Sequence, residues 1–128
     1  MKILFVEDSA LMRRSMVKMA NDNGFKTLEA ENGAEALARL RKFGHNIDLI
    51  VLDWNMPVMD GYEVLTKIKA DADYARIPVL MATADGIQED VIKAIKVGAA
   101  GYLVKPFTPD RLIEKISEIL GTQSTPGA

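Results

Sequence analysis

The chain has 128 residues with 16 basic and 18 acidic side chains, a net charge of -2 and no cysteine, a size that suits one domain with a single core. The near-balanced charge excludes a general attraction to nucleic acid or to an anionic membrane, and the lack of cysteine excludes disulfides, thiolate metal sites and cysteine nucleophiles. The first apolar run, "KILFV", is too short for a signal peptide or a membrane span, so we expect a soluble cytoplasmic domain.

Short apolar runs alternate with segments of helical periodicity along most of the chain. Several runs are hydrophobic without interruption, as in strands of parallel sheets that helices cover on both faces. In chain order the sequence predicts a strand at 2–6, a helix at 9–22, a strand at 26–30, a helix at 33–43, a strand at 48–52, a helix at 61–70, a strand at 78–83, a helix at 87–97, a strand at 101–104 and a helix at 109–120. The strand at 26–30 is the weakest. The alternation predicts an α/β fold with one open, five-stranded parallel sheet, right-handed crossovers and five helices on its two faces.

Two of the predicted helices show how they would pack. The last helix carries an amphipathic stripe formed by Leu112, Ile116, Ile119 and Leu120. Thr108 is expected to cap this helix, with Pro109 at the first helical position. The first helix has a methionine stripe that is typical of an ordinary core, formed by Met12, Met16 and Met19. The small, polar residues at the end of the chain predict a domain over 1–121 and a flexible tail over 122–128.

Polar and charged side chains stand at the carboxyl ends of four predicted strands. In open α/β sheets this edge holds the ligand site, so we expect these side chains to meet there. They are Glu7 and Asp8 after the first strand, Asp53 after the third, Thr83 at the end of the fourth and Lys105 after the fifth. Each one alone is typical of a solvated strand end. As a set, the three crowded carboxylates repel one another unless a cation compensates them.

A magnesium ion is the natural compensating cation for these oxygen donors. It prefers octahedral oxygen ligands and takes one or two carboxylates, with water and phosphate oxygens in the other positions. We expect Asp8 and Asp53 to supply carboxylates and Asn55 to supply its backbone carbonyl, with Glu7 acting through water.

The same residues suit the transfer of a phosphoryl group, which depends on in-line positioning and on neutralising the charge of the equatorial oxygens. The cation would bind one oxygen, the Lys105 ammonium a second and the Thr83 hydroxyl a third. A carboxylate can act as the nucleophile toward a phosphoryl group. Asp53 stands between the groups on the first strand and those on the fourth and fifth, so it is the best candidate for the acceptor.

These residues lie in four motifs: "VEDS", "LDWNMPVMDG", "MATAD" and "GYLVKPFT". In the order and spacing of the motifs, over about residues 1–120, the chain resembles the receiver domains of bacterial response regulators, and among them the single-domain chemotaxis regulators. The resemblance implies a flavodoxin-like fold with strand order 2-1-3-4-5, the known order for this family. It also implies a domain that is not an enzyme in the usual sense and catalyses only its own phosphorylation and dephosphorylation.

The resemblance implies a role for each residue of the site. Asp53 matches the phosphoacceptor, which takes its phosphoryl group from a phosphohistidine of a sensor histidine kinase. The magnesium site matches Glu7, Asp8, Asp53 and the backbone carbonyl of Asn55. Glu7 stands where many members have aspartate, and its longer arm should alter the water-mediated contact with the metal. Lys105 matches the lysine that contacts the phosphoryl group, and its bond to Pro106 is expected to be cis.

Signalling would follow from a population shift between two conformations. A phosphoryl group adds nearly two negative charges, and by resemblance it draws in the switch hydroxyl of Thr83 and lets the switch aromatic Tyr102 turn inward. The face formed by the fourth helix, the fifth strand and the fifth helix then binds an output partner, by resemblance the flagellar motor switch. Asn55 and Asp85 resemble positions that tune self-dephosphorylation. A chemotaxis-type kinase and a phosphatase are the other expected partners of a monomeric domain that binds neither nucleic acid nor membrane.

Other interpretations use the same residues differently. A receiver domain cut from a larger transcriptional regulator would show the same motifs. A phosphatase of the haloacid dehalogenase type also uses Asp, Lys, Thr and magnesium, but its paired aspartates end the first strand, whereas "DWN" here ends the third. A flavodoxin needs a hydroxyl- and glycine-rich phosphate loop where this chain has the acidic "VEDSALM". An interaction module with a vestigial acidic rim would fail to bind magnesium.

Overall fold

Strands and helices alternate from residue 2 to residue 121 in the computed structural model, which describes residues 1–84 and 88–121. The elements are β1 (Lys2–Val6), α1 (Ala10–Asp22), β2 (Lys26–Ala30), α2 (Gly33–Phe43), β3 (Leu49–Asp53), α3 (Gly61–Ala70), β4 (Val79–Thr83), α4 (Gln88–Val97), β5 (Gly101–Val104) and α5 (Pro109–Gly121). The ten predicted elements are confirmed, with bounds that differ by at most one residue. The expected tail at 122–128 lies outside the described residues. Within the described ranges, no helix has the length and apolar character needed to cross a bilayer.

The predicted bounds of β3 are wrong by one residue at both ends, and the difference concerns Asp53. Asp48 lies before the strand, where its carboxylate accepts a hydrogen bond from the Lys2 amide at 2.8 Å. Asp53 is instead the last residue of the strand and pairs with Ala82 of β4. Its side chain therefore starts from the sheet rather than from the following loop. A short 3₁₀ turn over Gly44–Asn46, which the sequence pattern did not predict, joins α2 to β3.

The five strands form one parallel sheet in the order β2-β1-β3-β4-β5, which confirms the predicted topology. The chain goes from β1 to one edge of the sheet and then returns past β1 to build the other side. The helices that follow the adjacent strands β1 and β3 therefore pack on opposite faces of the sheet. A reversal of this kind opens a crevice at the carboxyl ends of the strands, which is where this fold binds ligands.

Side chains alternate between the two faces of the sheet and build two apolar layers. Leu4 and Val6 of β1 point to α2, α3 and α4, whereas Ile3 and Phe5 point to α1 and α5. The central strands β3 and β4 are buried on both faces, which accounts for their uninterrupted hydrophobic runs. Both predicted helical stripes pack in the second layer, where Met16 of α1 is 1% exposed and all four apolar residues of the α5 stripe are buried.

Four helices that start at the carboxyl edge of the sheet are capped by polar side chains. Each cap accepts a hydrogen bond from the amide three residues ahead, at 2.8 to 3.3 Å, and the caps are Ser9, Asn32, Asp60 and Thr108. The predicted cap at Thr108 is confirmed. A cap of this kind contributes about 1 kcal/mol to stability. Because each cap ends a strand-to-helix loop, the loops that carry the candidate site are restrained on their helical side.

Lys69 holds the connection between α3 and β4 through its ammonium group. The ammonium donates to the carbonyl oxygens of Ala75 at 2.9 Å and Ile77 at 2.7 Å, and partial burial lowers the pKa of Lys69. We expect Lys69→Met to lower the free energy of unfolding by about 2 kcal/mol, because two hydrogen bonds from a charged but partly exposed donor are lost. Urea denaturation measures this change. Lys67→Met, on the exposed side of the same helix, is the control; an equal loss in both variants would contradict the role given to Lys69.

Candidate functional site

The carboxyl ends of β1 and β3 bring three carboxylates together. Glu7 and Asp8 follow β1, Asp53 ends β3, and one oxygen from each side chain lies within 4.8 Å of the others. Glu7 and Asp53 are 1% and 2% exposed, whereas Asp8 is open to solvent. The structure thus places the three acids that the sequence grouped in one cluster. Two of them lie inside the protein, where like charges repel strongly.

Lys105 supplies the positive charge of this cluster. Its ammonium lies 2.7 Å from Glu7 Oε1 and 3.0 Å from Asp53 Oδ1, and its side chain is 17% exposed. Burial by itself lowers the pKa of Lys105, but the hydrogen bonds to Glu7 and Asp53 and their negative charges outweigh it, so the pKa is raised above its ordinary value of 10.5. The stability that the raised pKa of Lys105 contributes is therefore present below the unfolded-state pKa of this lysine and is lost as the pH rises through the raised value.

The backbone places Lys105 beside Thr83. The Lys105 amide donates to the Thr83 carbonyl oxygen at 2.7 Å, next to the last pair of the β4–β5 ladder. Thr83 is 4% exposed at the end of β4. The peptide bond between Lys105 and Pro106 is cis, which confirms the expectation from the family resemblance. Thr83 and Lys105, which the sequence predicted to lie together, therefore stand at the carboxyl ends of the neighbouring strands β4 and β5.

The Asp53 carboxylate has one engaged oxygen and one accessible oxygen. Oδ1 accepts hydrogen bonds from the Lys105 ammonium and, at 3.2 Å, from the Asn55 amide. Among the described residues, nothing donates to Oδ2, and no fully buried side-chain oxygen or nitrogen lacks a partner. Oδ2 therefore keeps contact with solvent although the residue as a whole is buried. Oδ2 is therefore the oxygen of Asp53 that no described group occupies.

Glu7 is held at both oxygens of its carboxylate. Oε1 accepts from Lys105, and Oε2 accepts from the Ser9 amide at 3.2 Å. The Arg13 guanidinium donates to the Glu7 carbonyl oxygen at 2.8 Å and pairs with Glu29 at 3.0 Å. The sequence did not reveal the direct Glu7–Lys105 pair or the part played by Arg13. The sequence does contain a signal for the position of Arg13. Arg13 lies one helical turn after the cap Ser9 and is therefore on the side of α1 that faces the end of β1.

The oxygen donors of the site fit a magnesium ion. Octahedral Mg²⁺ holds its ligands at about 2.0–2.1 Å, so neighbouring ligand oxygens lie about 3 Å apart and opposite ones about 4 Å apart. One oxygen from each of the three carboxylates lies within 4.8 Å of the others, and the side chain of Asp8 is exposed and free to adjust toward an ion. The Asn55 side chain accepts a hydrogen bond from the Ala84 amide at 3.2 Å, and no donor in the described ranges is bonded to the Asn55 backbone carbonyl. Asp8, Asp53 and this carbonyl are the groups available to a cation, whereas both oxygens of Glu7 are already bonded.

Gly61 lets the start of α3 pack directly on the end of β3, which we call the acceptor strand because it carries the predicted acceptor Asp53. Its amide donates to the Trp54 carbonyl oxygen at 2.9 Å. A β-carbon at this position would lie 2.7 Å from Trp54 Cα and closer still to the Asp53 carbonyl oxygen. The "DG" dipeptide at 60–61 is a turn signal in the sequence. The close approach that excludes any side chain is visible only in the fold.

Tyr102 lies away from the carboxylates, on the α4 side of the edge strand β5. It is 42% exposed, and alternation along the strand puts Val104, 38% exposed, on the same side. Ile92 and Ile95 of α4 are exposed as well, at 43% and 53%. We call these four residues the α4–β5 patch. Asp85, the other residue predicted to tune dephosphorylation, lies outside the described residues.

Known proteins resemble this chain over almost its whole length. Residues 3–117 match the family model of the response regulator receiver domain. A chemotaxis protein CheY homolog of Campylobacter jejuni is 42% identical over 132 aligned positions, which cover 100% of this chain and 98% of the relative. Chemotaxis protein CheY-3 of Vibrio cholerae is 45% identical over 120 positions, which cover 93% of this chain and 91% of the relative. The solved structure of the chemotaxis response regulator CheY4 of Vibrio cholerae is 36% identical and has a TM-score of 0.86, covering 92% of this chain and 97% of that chain.

The family is established by agreement between these comparisons and the topology. The matched region runs from the second residue of β1 into α5 and includes the other four strands completely. It also contains the three clustered carboxylates and Lys105. The chain belongs to the family of response regulator receiver domains.

Proposed function

We propose that the protein is a phosphorylation-activated signalling domain in which Asp53 accepts a phosphoryl group. The observation that carries the proposal is the Asp53 carboxylate, which is buried among Glu7, Asp8 and Lys105 and yet keeps one oxygen accessible. This oxygen would attack the phosphorus of a phosphohistidine on a sensor histidine kinase. The P–N bond would break with its electron pair on the imidazole, which takes up a proton from solvent, and an acyl phosphate would remain on Asp53.

The surrounding groups would neutralise the charge on the phosphoryl oxygens. Lys105 would turn from the Glu7 and Asp53 carboxylates to one phosphoryl oxygen, and the Thr83 hydroxyl would bind another. Asp8, Asp53 and the Asn55 carbonyl would hold Mg²⁺, which supplies divalent charge to balance the carboxylates and the phosphoryl group. Glu7 would act on the site through water and through its bond to Lys105. These groups suit self-phosphorylation and self-dephosphorylation rather than turnover of a separate substrate.

The signal would pass from Thr83 to the α4–β5 patch. A phosphoryl group brings nearly two negative charges and strong hydrogen-bond acceptors, so the Thr83 hydroxyl would be drawn toward Asp53. The space that it leaves would admit Tyr102, whose side chain is now at the surface. With Tyr102 turned inward, the surface of α4, β5 and α5 would bind an output partner with a different affinity. Asn55 and, by family resemblance, Asp85 would tune dephosphorylation by orienting or obstructing the attacking water.

We infer that the domain acts in chemotaxis, because relatives with that printed name match it over nearly their whole length. Its partners would be a chemotaxis-type histidine kinase, the flagellar motor switch as the output and a phosphatase. It would act in the cytoplasm as a monomer, with the receiver domain over 1–121 and a flexible tail over 122–128. A receiver domain of a larger transcriptional regulator would use the same site with a different output.

Trp54 fluorescence during addition of Mg²⁺ and then acetyl phosphate tests the proposal. Trp54 is the single tryptophan of the chain and follows Asp53 directly, so its emission reports on the site. We expect Mg²⁺ to change the emission and acetyl phosphate to change it further. In Asp53→Asn the donor should have no effect, because the amide cannot form an acyl phosphate. Intact-protein mass should show one added phosphoryl group in the wild type only.

The controls separate metal binding from phosphoryl transfer. Asp8→Asn keeps the acceptor and removes the exposed carboxylate, so it should shift the Mg²⁺ titration to higher concentration. A wild-type emission that does not respond to Mg²⁺, or equal donor responses in the wild type and Asp53→Asn, would contradict the proposal. An unchanged titration in Asp8→Asn would place the ion elsewhere.

A further inference from the structure

Three side chains connect the acceptor strand to α4 by a route that does not use Thr83 or Tyr102. Trp54 follows Asp53, Tyr62 lies in the first turn of α3, and Lys93 lies in α4. The ring centroids of Trp54 and Tyr62 are 5.6 Å apart, with the ring planes inclined by 43°. The Lys93 ammonium lies 5.6 Å from the centroid of the Tyr62 ring. Aromatic pairs and cation–π contacts are attractive at these distances.

The end of this route at the acceptor strand is rigid. The Trp54 amide donates to the Ala82 carbonyl oxygen at 2.8 Å, and the Trp54 carbonyl accepts from the Gly61 amide at 2.9 Å. Gly61 is packed so closely on the strand that no β-carbon fits there. Tyr62 is the next residue, so its backbone is held in a set position relative to Asp53.

The end of the route at α4 is held by few contacts. Among the described side chains of α4, only Ala94 is buried, and Ile92 and Ile95 are exposed. Lys93 makes no ion pair or hydrogen bond within residues 1–84 and 88–121, so its contact with Tyr62 is its only directed interaction there. An element with few buried side chains opens easily. A single cation–π contact can therefore change its position measurably.

We propose that Tyr62 and Lys93 are positioning residues that tie α4 to the acceptor strand and help to couple the α4–β5 patch to the state of Asp53. Lys93 lies next to Ile92 and two residues before Ile95, so its contact with Tyr62 sets how the helix presents these two patch residues. Because the Trp54 backbone is held, it is a turn of the Trp54 ring on phosphorylation of Asp53 that reaches α4 through the Tyr62 ring. The coupling rests on the proposed function, whereas the contact that holds α4 in the resting protein does not.

Hydrogen exchange of the α4 amides tests the proposal, with Trp54 emission as a second readout. In Lys93→Gln we expect these amides to exchange about two- to fivefold faster in the resting protein, the change that loss of an exposed cation–π contact produces. The further change of exchange on adding acetyl phosphate should be smaller than in the wild type. Tyr62→Leu should behave in the same way and should also shift the Trp54 emission. Tyr62→Phe and Lys93→Arg keep the ring and the charge and should behave like the wild type.

Lys96→Gln is the matched control, because Lys96 is an exposed lysine of the same helix that contacts no aromatic ring among the described residues. It loses the same charge without losing the contact. The proposal would be overturned if the α4 amides of unphosphorylated Lys93→Gln exchanged at the same rates as those of Lys96→Gln. It would also be overturned if acetyl phosphate changed α4 exchange in Lys93→Gln as much as in the wild type. A wild type that does not respond to acetyl phosphate would overturn the proposed function and the coupling with it. The α4 exchange rates measured without acetyl phosphate test the contact between Lys93 and Tyr62 separately, because they do not depend on phosphorylation of Asp53.

Discussion

Replacement of Lys105 by methionine is expected to lower the free energy of unfolding by about 3 kcal/mol without metal and to tighten Mg²⁺ binding roughly tenfold. Among the described residues, Lys105 is the only cation in ion-pair contact with Glu7 and Asp53. Removing one partner from a buried ion pair leaves the other charges uncompensated, and the lower end of the usual cost applies because the Lys105 side chain is 17% exposed. Binding becomes tighter because the ammonium repels the divalent cation and competes with it for the Asp53 carboxylate.

Urea unfolding in EDTA and in excess Mg²⁺ measures the first effect, and a Trp54 titration measures the second. Most of the lost stability should return when Mg²⁺ is present. Lys105→Arg is the matched variant, since it keeps the charge and should keep stability and metal affinity close to those of the wild type. It should take up a phosphoryl group but show only a weak change in α4 hydrogen exchange, because a planar guanidinium does not replace a compact ammonium.

Two results would contradict this account of Lys105. Weaker Mg²⁺ binding in Lys105→Met would mean that the ammonium helps to organise the site instead of competing with the ion. A full response of α4 in Lys105→Arg would mean that charge alone, without the geometry of the ammonium, is sufficient for signalling.

Gly61→Ala is expected to lower the free energy of unfolding by about 3 kcal/mol, at the upper end of the usual cost of overpacking. The added β-carbon would meet backbone atoms, namely the Asp53 carbonyl oxygen and, at 2.7 Å, the Trp54 Cα. Backbone at the end of a central strand cannot move aside as the tip of a side chain can. Asp53 would be displaced with its strand end, so the responses to Mg²⁺ and to acetyl phosphate should weaken as well.

Two other glycines provide graded controls for this prediction. At Gly33 a β-carbon would meet Val64 Cγ2 at 2.7 Å and Met59 Sδ at 2.8 Å. These are side-chain atoms that can shift, so we expect Gly33→Ala to cost about 1 to 2 kcal/mol. At Gly121 nothing lies within 4 Å, and alanine there should be neutral or stabilise by up to about 1 kcal/mol. Urea unfolding ranks the three variants, and a Gly61→Ala protein as stable as Gly121→Ala would show that the strand end tolerates a side chain.

The elements of the fold could be predicted because their signals are local. A strand covered on both faces is a short uninterrupted apolar run, and an amphipathic helix repeats its apolar residues with the helical period. The cap at Thr108 likewise depends on residues only three positions apart. The order of the strands has no such local signal, and it came from the resemblance of four motifs to a known family. The boundary of β3 was missed by one residue because the pairing of Asp53 with Ala82 depends on another strand.

The sequence also allowed a prediction of which residues lie at the carboxyl edge of the sheet. All strands of a parallel sheet end at the same side, so residues that follow different strands must lie at one edge whatever the order of the strands. The sequence therefore predicted that Asp8, Asp53, Thr83 and Lys105 meet, although they come from distant parts of the chain. It did not show which of their atoms touch.

The pairing of the side chains was decided by the tertiary structure alone. Lys105 contacts Glu7 and Asp53 across 98 and 52 positions, Gly61 packs against the acceptor strand, and Tyr62 lies between Trp54 and Lys93. The sequence by itself determined the elements, the faces that they bury and the edge where the charged residues collect, since each follows from the order of residues along one segment. Contacts between side chains of different segments depend on distances of a few ångströms that are set when the elements pack, and periodicity specifies the face of a residue without specifying its neighbour.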